Sequence, residues 1–152
     1  MQLTKGTRLE LEFTSLTAFG QAHAKVTIED HEYNLVCPDL YPGDFAEVEL
    51  TKIKKNFLEA SLVELKKPSD WRVPTRNNYF GISNATPLEA LNYDKQLELK
   101  TNEVHRILGN LDLTDGAEIM PIVGMSDPWY YRNKVEYSFG YTKDFDPVIG
   151  FH

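Results

Sequence analysis

A single cysteine in 152 residues excludes an internal disulfide framework and fits a reducing compartment. No apolar run approaches the ~20 residues that a membrane-spanning helix requires. The opening Met1-Gln2-Leu3-Thr4-Lys5-Gly6 lacks the apolar stretch of a signal peptide. A cytoplasmic protein without a membrane partner is therefore expected. Positive charge is also scarce: 16 Lys and Arg stand against 23 Asp and Glu, a net charge of −7. Phosphate binding is driven by cations that release counterions, so indiscriminate coating of nucleic acid is excluded and any RNA-binding surface has to be a patch. Missing too is a glycine-rich strand-to-helix loop of the kind that approaches a nucleotide cofactor. The four histidines, His23, His31, His105 and His152, share no ligand spacing with Cys37 or an acidic pair, and no metal is assigned. Cys37 alternates with Leu35 and reads as a small core residue, not a nucleophile.

What is present is order and local charge. Leu9, Leu11 and Phe13 alternate with Glu10 and Glu12; Ala22, Ala24, Val26 and Ile28 alternate with His23, Lys25 and Thr27; Tyr33, Leu35 and Cys37 alternate with Asn34 and Val36. Such period-two patterns predict strands. Two more, around 46–53 and 57–65, follow a Pro42-Gly43-Asp44 turn and flank a Lys54-Lys55-Asn56 hairpin. Five short strands with regular turns predict an OB-like barrel over residues 1–66, a fold that removes sheet edges and offers one face to a single-stranded ligand. Between Lys52 and Arg76 seven basic residues meet three acidic ones, a local balance of +4 that leaves −11 elsewhere. Lys52, Lys54, Lys55, Arg72 and Arg76 are the cations a phosphate would meet there, although charge pattern alone reads as a solvated face.

Periodicity is lost from Lys66 to Asn84, and 67–92 reads as linker and loop. Thr86-Pro87-Leu88-Glu89 has the form of a helix start, with Thr86 as N-cap and Glu89 placed for a capping box. A helix is predicted from about Tyr93 to Leu108, ended by Gly109, and residues 93–152 read as the start of a small, incomplete α+β domain. The fold class is thus mainly β with an α+β second part. The stretch from Asp127 to Gly140, D-P-W-Y-Y-R-N-K-V-E-Y-S-F-G, collects aromatic, amide and basic side chains beside one turn. Cations hold phosphates, flat rings stack on unpaired bases and Asn bonds base edges, so the inventory suits RNA. The competing reading is a strand with Val135, Tyr137 and Phe139 facing a core. Phe145 to His152 looks like a further strand whose partners are missing.

The run P-W-x-Y-R-N-K-V-E-Y-S-F-G, followed by G-F-H, strongly resembles the RNA (uracil-5-)-methyltransferase family, in particular its 23S ribosomal RNA branch. Tyr93 to Lys100 is similar to that family's Y-x-x-Q-L-x-x-K helix, and Ile122 to Met125 to the segment leading into the motif. Lys5-Gly6, Pro42-Gly43-Asp44 and the 52–60 run are similar to a TRAM domain, the small RNA-binding barrel that precedes these enzymes. The resemblance spans essentially the whole chain, in the family's order.

That resemblance implies an RNA partner, a ribosomal or transfer RNA stem-loop. It implies that Trp129, Tyr131, Arg132, Asn133 and Lys134 support the RNA where a uridine is flipped out, and that Arg72, Arg76, Tyr79 and Phe80 form an RNA-facing loop. The family usually carries an iron–sulfur segment, R-V-x-P-R-C-P-x-F-G-x-C-G-G-C. Here its cysteines fall on Asn77, Ser83 and Thr86. Neutral amides and hydroxyls do not replace thiolates around iron, so no cluster is expected. The family also continues into a domain that binds S-adenosylmethionine and supplies the cysteine that attacks uracil; neither is recognisable here, and the chain alone is expected to be inactive. The expectation is the RNA-recognising N-terminal portion of such an enzyme, partnered by its catalytic domain. The alternative is a freestanding, non-catalytic RNA-binding module or a partner of a separate methyltransferase.

Overall fold

The structure, a computed structural model, describes residues 3–76, 78, 80–81, 86–110 and 116–150. The chain divides into two units, Met1–Ile122 and Val123–His152. In the first, β1 (Arg8–Glu12), β2 (Ser15–Leu16), β3 (Ala22–Ile28), β4 (His31–Cys37), β5 (Phe45–Ile53) and β6 (Phe57–Lys67) form one sheet in the order β1-β5-β6-β4-β3-β2. The two ends of that order, β1 and β2, are consecutive in sequence. The predicted first strand is therefore broken in two and closes the sheet on itself, as an OB-like barrel requires.

Backbone hydrogen bonding explains the break. Up to Glu12 the strand pairs with β5, Glu12 opposite Phe45. Phe13 then donates to the Asp44 carbonyl at 2.9 Å and accepts from Gly43 N at 2.8 Å, and Thr14 N already donates to His23 O at 3.1 Å. The chain thus changes partners over two residues, with the Phe13 and Thr14 N–H groups both taken up by backbone carbonyls. Phe13, fully buried at this corner, fills the end of a core built by Ala22, Ala24, Leu35, Cys37, Leu40, Ala46, Val48, Leu50, Leu58 and Ala60. The alternation seen in the sequence is the in/out alternation of these strands.

Two turns set the registers. Glu29 (φ 49°) and Asp30 (φ 61°) make a two-residue hairpin between Ile28 and His31, both in the left-handed region that such tight hairpins demand. Tyr41-Pro42-Gly43-Asp44 closes with Asp44 N donating to Tyr41 O at 3.0 Å. Gly43 has φ 87°, and a Cβ there would meet Ser69 Oγ at 2.9 Å. Only glycine suits both the dihedral and the space.

The helix α1 spans Tyr93–Asn110 and groups with the barrel. Its N-cap is Asn92, whose Oδ1 accepts from Asp94 N at 2.9 Å, the expected role of an amide at that place. The helix start expected at Thr86 is not found. Thr86 to Ala90 forms turns, Thr86 Oγ1 is buried without a partner, and Glu89 is turned back to accept from Arg76 N at 2.8 Å. The cap lies six residues later because Gln96 anchors the helix there, donating from Nε2 to the carbonyls of Leu88 (3.0 Å) and Leu91 (2.9 Å).

In the second unit, β7 (Ser138–Tyr141) pairs antiparallel with β8 (Pro147–Gly150). The terminal strand expected to lack partners has one inside the chain. Residues 131–137 have no regular structure, so the strand reading of the motif fails before Ser138. Val135, Tyr137 and Phe139 are exposed, Phe139 at 85%.

Cys37 lies at 0% exposure in the barrel core. Burial, and secondly the nearby charge of Asp39, push its thiol up to about 12. The thiolate is the reactive form, so the native protein at pH 8 is expected to resist a thiol reagent that labels the urea-unfolded chain fully. Rapid labelling of the native chain would show that the barrel opens.

Candidate nucleic-acid interface

The barrel wall is electrostatically two-sided. Cross-strand register places Lys25 opposite Asn34, Thr27 opposite Glu32, Asn34 beside Phe57 and Lys52 opposite Glu59, on the outer surface of β3, β4, the start of β6 and the end of β5. With the Lys54-Lys55 hairpin this face holds four lysines, against Glu32 and Glu59 on the strands and Glu29 and Asp30 in the turn between β3 and β4. The outer surface of β1, β5 and the end of β6 carries Glu10, Glu12, Glu47, Glu49 and Glu64 against Arg8, Lys66 and Lys67. Lys66 is taken up there, within 3.7 Å of Glu10, Glu47 and Glu64. Of the seven basic residues between Lys52 and Arg76, three, Lys52, Lys54 and Lys55, stand on the first wall.

On the basic wall Lys25 pairs with Glu32 at 2.9 Å and Lys52 with Glu59 at 3.0 Å, all four side chains more than a third exposed. Such surface pairs contribute about 0–1 kcal/mol and release their lysines readily to a phosphate. The hairpin is anchored from β4: His31 Nε2 donates to Lys55 O at 2.8 Å and Asn34 N to Asn56 O at 3.0 Å. Lys54 Nζ lies 5.7 Å from the centroid of the Phe57 ring. Lys52, Lys54 and Lys55 thus stand together on a fixed rim.

Arg72 has a different place. Its Nε and Nη2 donate to both oxygens of fully buried Asp44 at 2.7 to 3.1 Å, Nη2 also reaches Asp39 O at 2.9 Å, and the guanidinium lies 4.7 Å from the Tyr41 ring centroid. Asp44 also accepts from Tyr41 N (2.7 Å) and Ser69 N (2.8 Å). The guanidinium expected to face RNA is held inside the fold. Phe80 likewise packs on the small cluster of Tyr41, Ala90 and Leu91, 6.3 Å from the Tyr41 ring. Arg76 is exposed, its backbone tied to Glu89. Tyr79, Asn77 and Ser83 lie outside the described residues. The segment closes by a stem: Val73 N donates to Ala90 O and Asn92 N to Trp71 O, at 2.9 and 2.8 Å.

In the second unit the aromatic–basic motif is open to solvent. Tyr130 is 95% exposed with φ 54°, and Tyr131 is 66% exposed. Arg132, Asn133 and Lys134 are exposed, Trp129 is half-buried, and Lys134 pairs with Glu136 at 2.6 Å while both side chains stay 80% exposed. Sequence reasoning passed over Tyr130, whose neighbour Tyr131 was singled out. It also passed over the His23, Asn34 and Phe57 group on the barrel wall, whose only sequence signal is alternation with core residues.

A closed barrel of short antiparallel strands, with one parallel pairing of β4 and β6, defines an OB-like β protein. Residues 2–63 match the TRAM domain, so the barrel part of the chain is similar to that domain. It is similar to an uncharacterized RNA methyltransferase of Oceanobacillus iheyensis, 35% identical over 143 residues that make up 93% of this chain and 29% of that protein. An uncharacterized RNA methyltransferase of Enterococcus faecalis is 34% identical over 84% of this chain and 27% of its own length. One from Bacillus cereus is 28% identical over 95% and 30%. The chain therefore spans less than a third of the length of the curated relatives it matches. Among the described residues no helix is long and apolar enough to cross a membrane.

Proposed function

We propose that this chain is the RNA-recognising N-terminal portion of a cytoplasmic, S-adenosylmethionine-dependent 23S ribosomal RNA uracil-5-methyltransferase. The observation that carries the reading is the exposure of Tyr130, Tyr131, Arg132, Asn133 and Lys134 in the segment that resembles the family's P-W-x-Y-R-N-K motif, inside a similarity that covers 93% of the chain. Exposed rings stack on unpaired bases and the two cations meet phosphates. The basic barrel wall supplies a further electrostatic footprint.

Neither of the family's cofactors is assigned here. The positions of the cluster cysteines hold Asn77, Ser83 and Thr86, whose donor chemistry does not suit iron. None of the nine glycines falls in a G-x-G-x-x-G pattern, and no step of methyl transfer is derived from these residues. A closed barrel with its own core supports the second reading, a freestanding RNA-binding module.

Fluorescence anisotropy of a labelled uridine-containing stem-loop, titrated with the chain at several salt concentrations, tests the RNA reading. Saturable binding that weakens with salt is expected. Arg132→Ala/Lys134→Ala should reduce the affinity and flatten the salt dependence by about two phosphate contacts, each worth roughly 0.7–0.9 in slope. The Glu136 pair offers no protection, being a surface pair. Flat anisotropy at tens of micromolar protein would defeat an RNA role for both readings.

A further inference from the structure

The basic wall of the barrel carries a polar relay that the folding of the sheet does not require. Ser15, His23 and Asn34 lie on three adjacent strands, their backbones already in the ladder or tied to a neighbouring carbonyl. Their side chains join across the outer surface: Ser15 Oγ is 2.9 Å from His23 Nδ1, and His23 Nε2 is 3.0 Å from Asn34 Oδ1. A ring nitrogen facing a carbonyl oxygen must donate, so the neutral ring carries its proton on Nε2 and Nδ1 accepts from the serine hydroxyl. Asn34 Oδ1 is turned toward the imidazole, and the amino group Nδ2 is the donor left over.

Beside Asn34 in the parallel register stands Phe57, a partly exposed ring with Lys54 Nζ over it, 5.7 Å from its centroid. Lys25, opposite Asn34 on β3, makes a surface pair with Glu32. A flat ring for stacking, an oriented amide donor and two cations for the flanking phosphates are the parts of a single-nucleotide subsite.

We propose that Phe57, Asn34 and His23 form a base-reading subsite for an unpaired nucleotide, selective for bases with a carbonyl oxygen at pyrimidine C4 or purine C6, uracil and guanine, over those with an amino group at that position, cytosine and adenine. The proposal rests on the RNA reading above. His23 is a positioning residue: it holds the Asn34 amide so that Nδ2 meets the exocyclic oxygen, and an amino group at the same place brings donor against donor. Phe57 contributes affinity without preference, because every base has a face to stack. One neutral hydrogen bond contributes about 1 kcal/mol, so a preference of about fivefold is expected.

The test is anisotropy with short single-stranded oligouridine and oligocytidine on the full chain, alongside the stem-loop titration. The parent should bind oligouridine about fivefold more tightly. His23→Ala and Asn34→Ala should bring the ratio to about one with the salt dependence unchanged. Phe57→Ala should weaken both oligomers about tenfold, the loss of one stacked base. Asn34→Asp keeps an oxygen toward His23 and removes the amino group, so it should also lose the preference. Thermal melts of each variant separate binding from folding; should His23→Ala melt early, Asn34→Asp and Ser15→Ala carry the test. A parent without preference, or Asn34→Ala and Asn34→Asp that both retain it, overturns the subsite while leaving the stem-loop result intact. Failure of every RNA, stem-loop included, overturns the RNA reading itself.

Discussion

Replacing Arg72 with alanine is expected to destabilise the barrel unit by about 3 kcal/mol, a fall in melting temperature on the order of 10 °C, while changing the salt dependence of RNA binding little. Asp44 is fully buried and Arg72 17% exposed at the side chain. Removing the cation leaves a carboxylate in the interior with two backbone N–H donors, from Tyr41 and Ser69, and no countercharge. Those donors hold the loss near the lower end of the 3–5 kcal/mol typical of a broken buried pair. Arg72→Lys should lose about half as much, because an ammonium keeps the charge but cannot span both carboxylate oxygens and the Asp39 carbonyl from one plane. Urea unfolding of the three proteins measures the effect. If Arg72 were instead a phosphate contact, alanine would leave the unfolding midpoint within about 0.5 kcal/mol of the parent, as surface substitutions do, and would flatten the salt slope.

Arg72 also shows where a sequence reading reaches its limit. The barrel strands were legible because each has a buried and a solvated side, and burial writes itself into the chain with period two. The hairpin at Lys54–Asn56 was legible for the same reason, as the polar gap between two such runs. Arg72 lies in a segment without periodicity, and its partner Asp44 is 28 residues away in a turn where aspartate is common on local grounds alone. Nothing local distinguishes an arginine that meets a buried carboxylate from one that meets a phosphate. Thr86-Pro87-Leu88-Glu89 failed in the opposite way: its local signal was strong, and a tertiary bond from Glu89 to Arg76 N and the anchoring of Gln96 displaced it. The competing reading of the motif around Tyr131 was a strand, from its alternation through Phe139, yet a two-stranded sheet of four residues per strand gives that alternation no buried side to serve. The RNA-facing role of that motif came from its resemblance to a family, and the geometry adds that its side chains are open to solvent.

Reversing charge on the basic wall with Lys54→Glu/Lys55→Glu is expected to weaken RNA binding about tenfold or more near 0.1 M salt and to lower the salt slope by about 1.4, two contacts at roughly 0.7 each for a single strand. The control reverses charge on the other wall with Glu49→Lys/Glu64→Lys. The two substitutions shift the net charge of −7 by equal amounts in opposite directions. Long-range attraction to the whole molecule would therefore move the two affinities by equal factors, down and up. Screening argues otherwise: Glu49 is five residues, about 16 Å of strand, from Lys54, and the Debye length is about 10 Å at 0.1 M, so the effect of these charges should stay within about twofold. Glu49 and Glu64 make surface pairs with Arg8 and Lys66, so losing them costs about 1 kcal/mol or less each and does not unfold the control. Equal and opposite changes would mean that RNA senses the protein as a whole and that the barrel has no RNA-binding face. A large loss on one wall beside a small change on the other would place the RNA on β3, β4 and the Lys54-Lys55 hairpin.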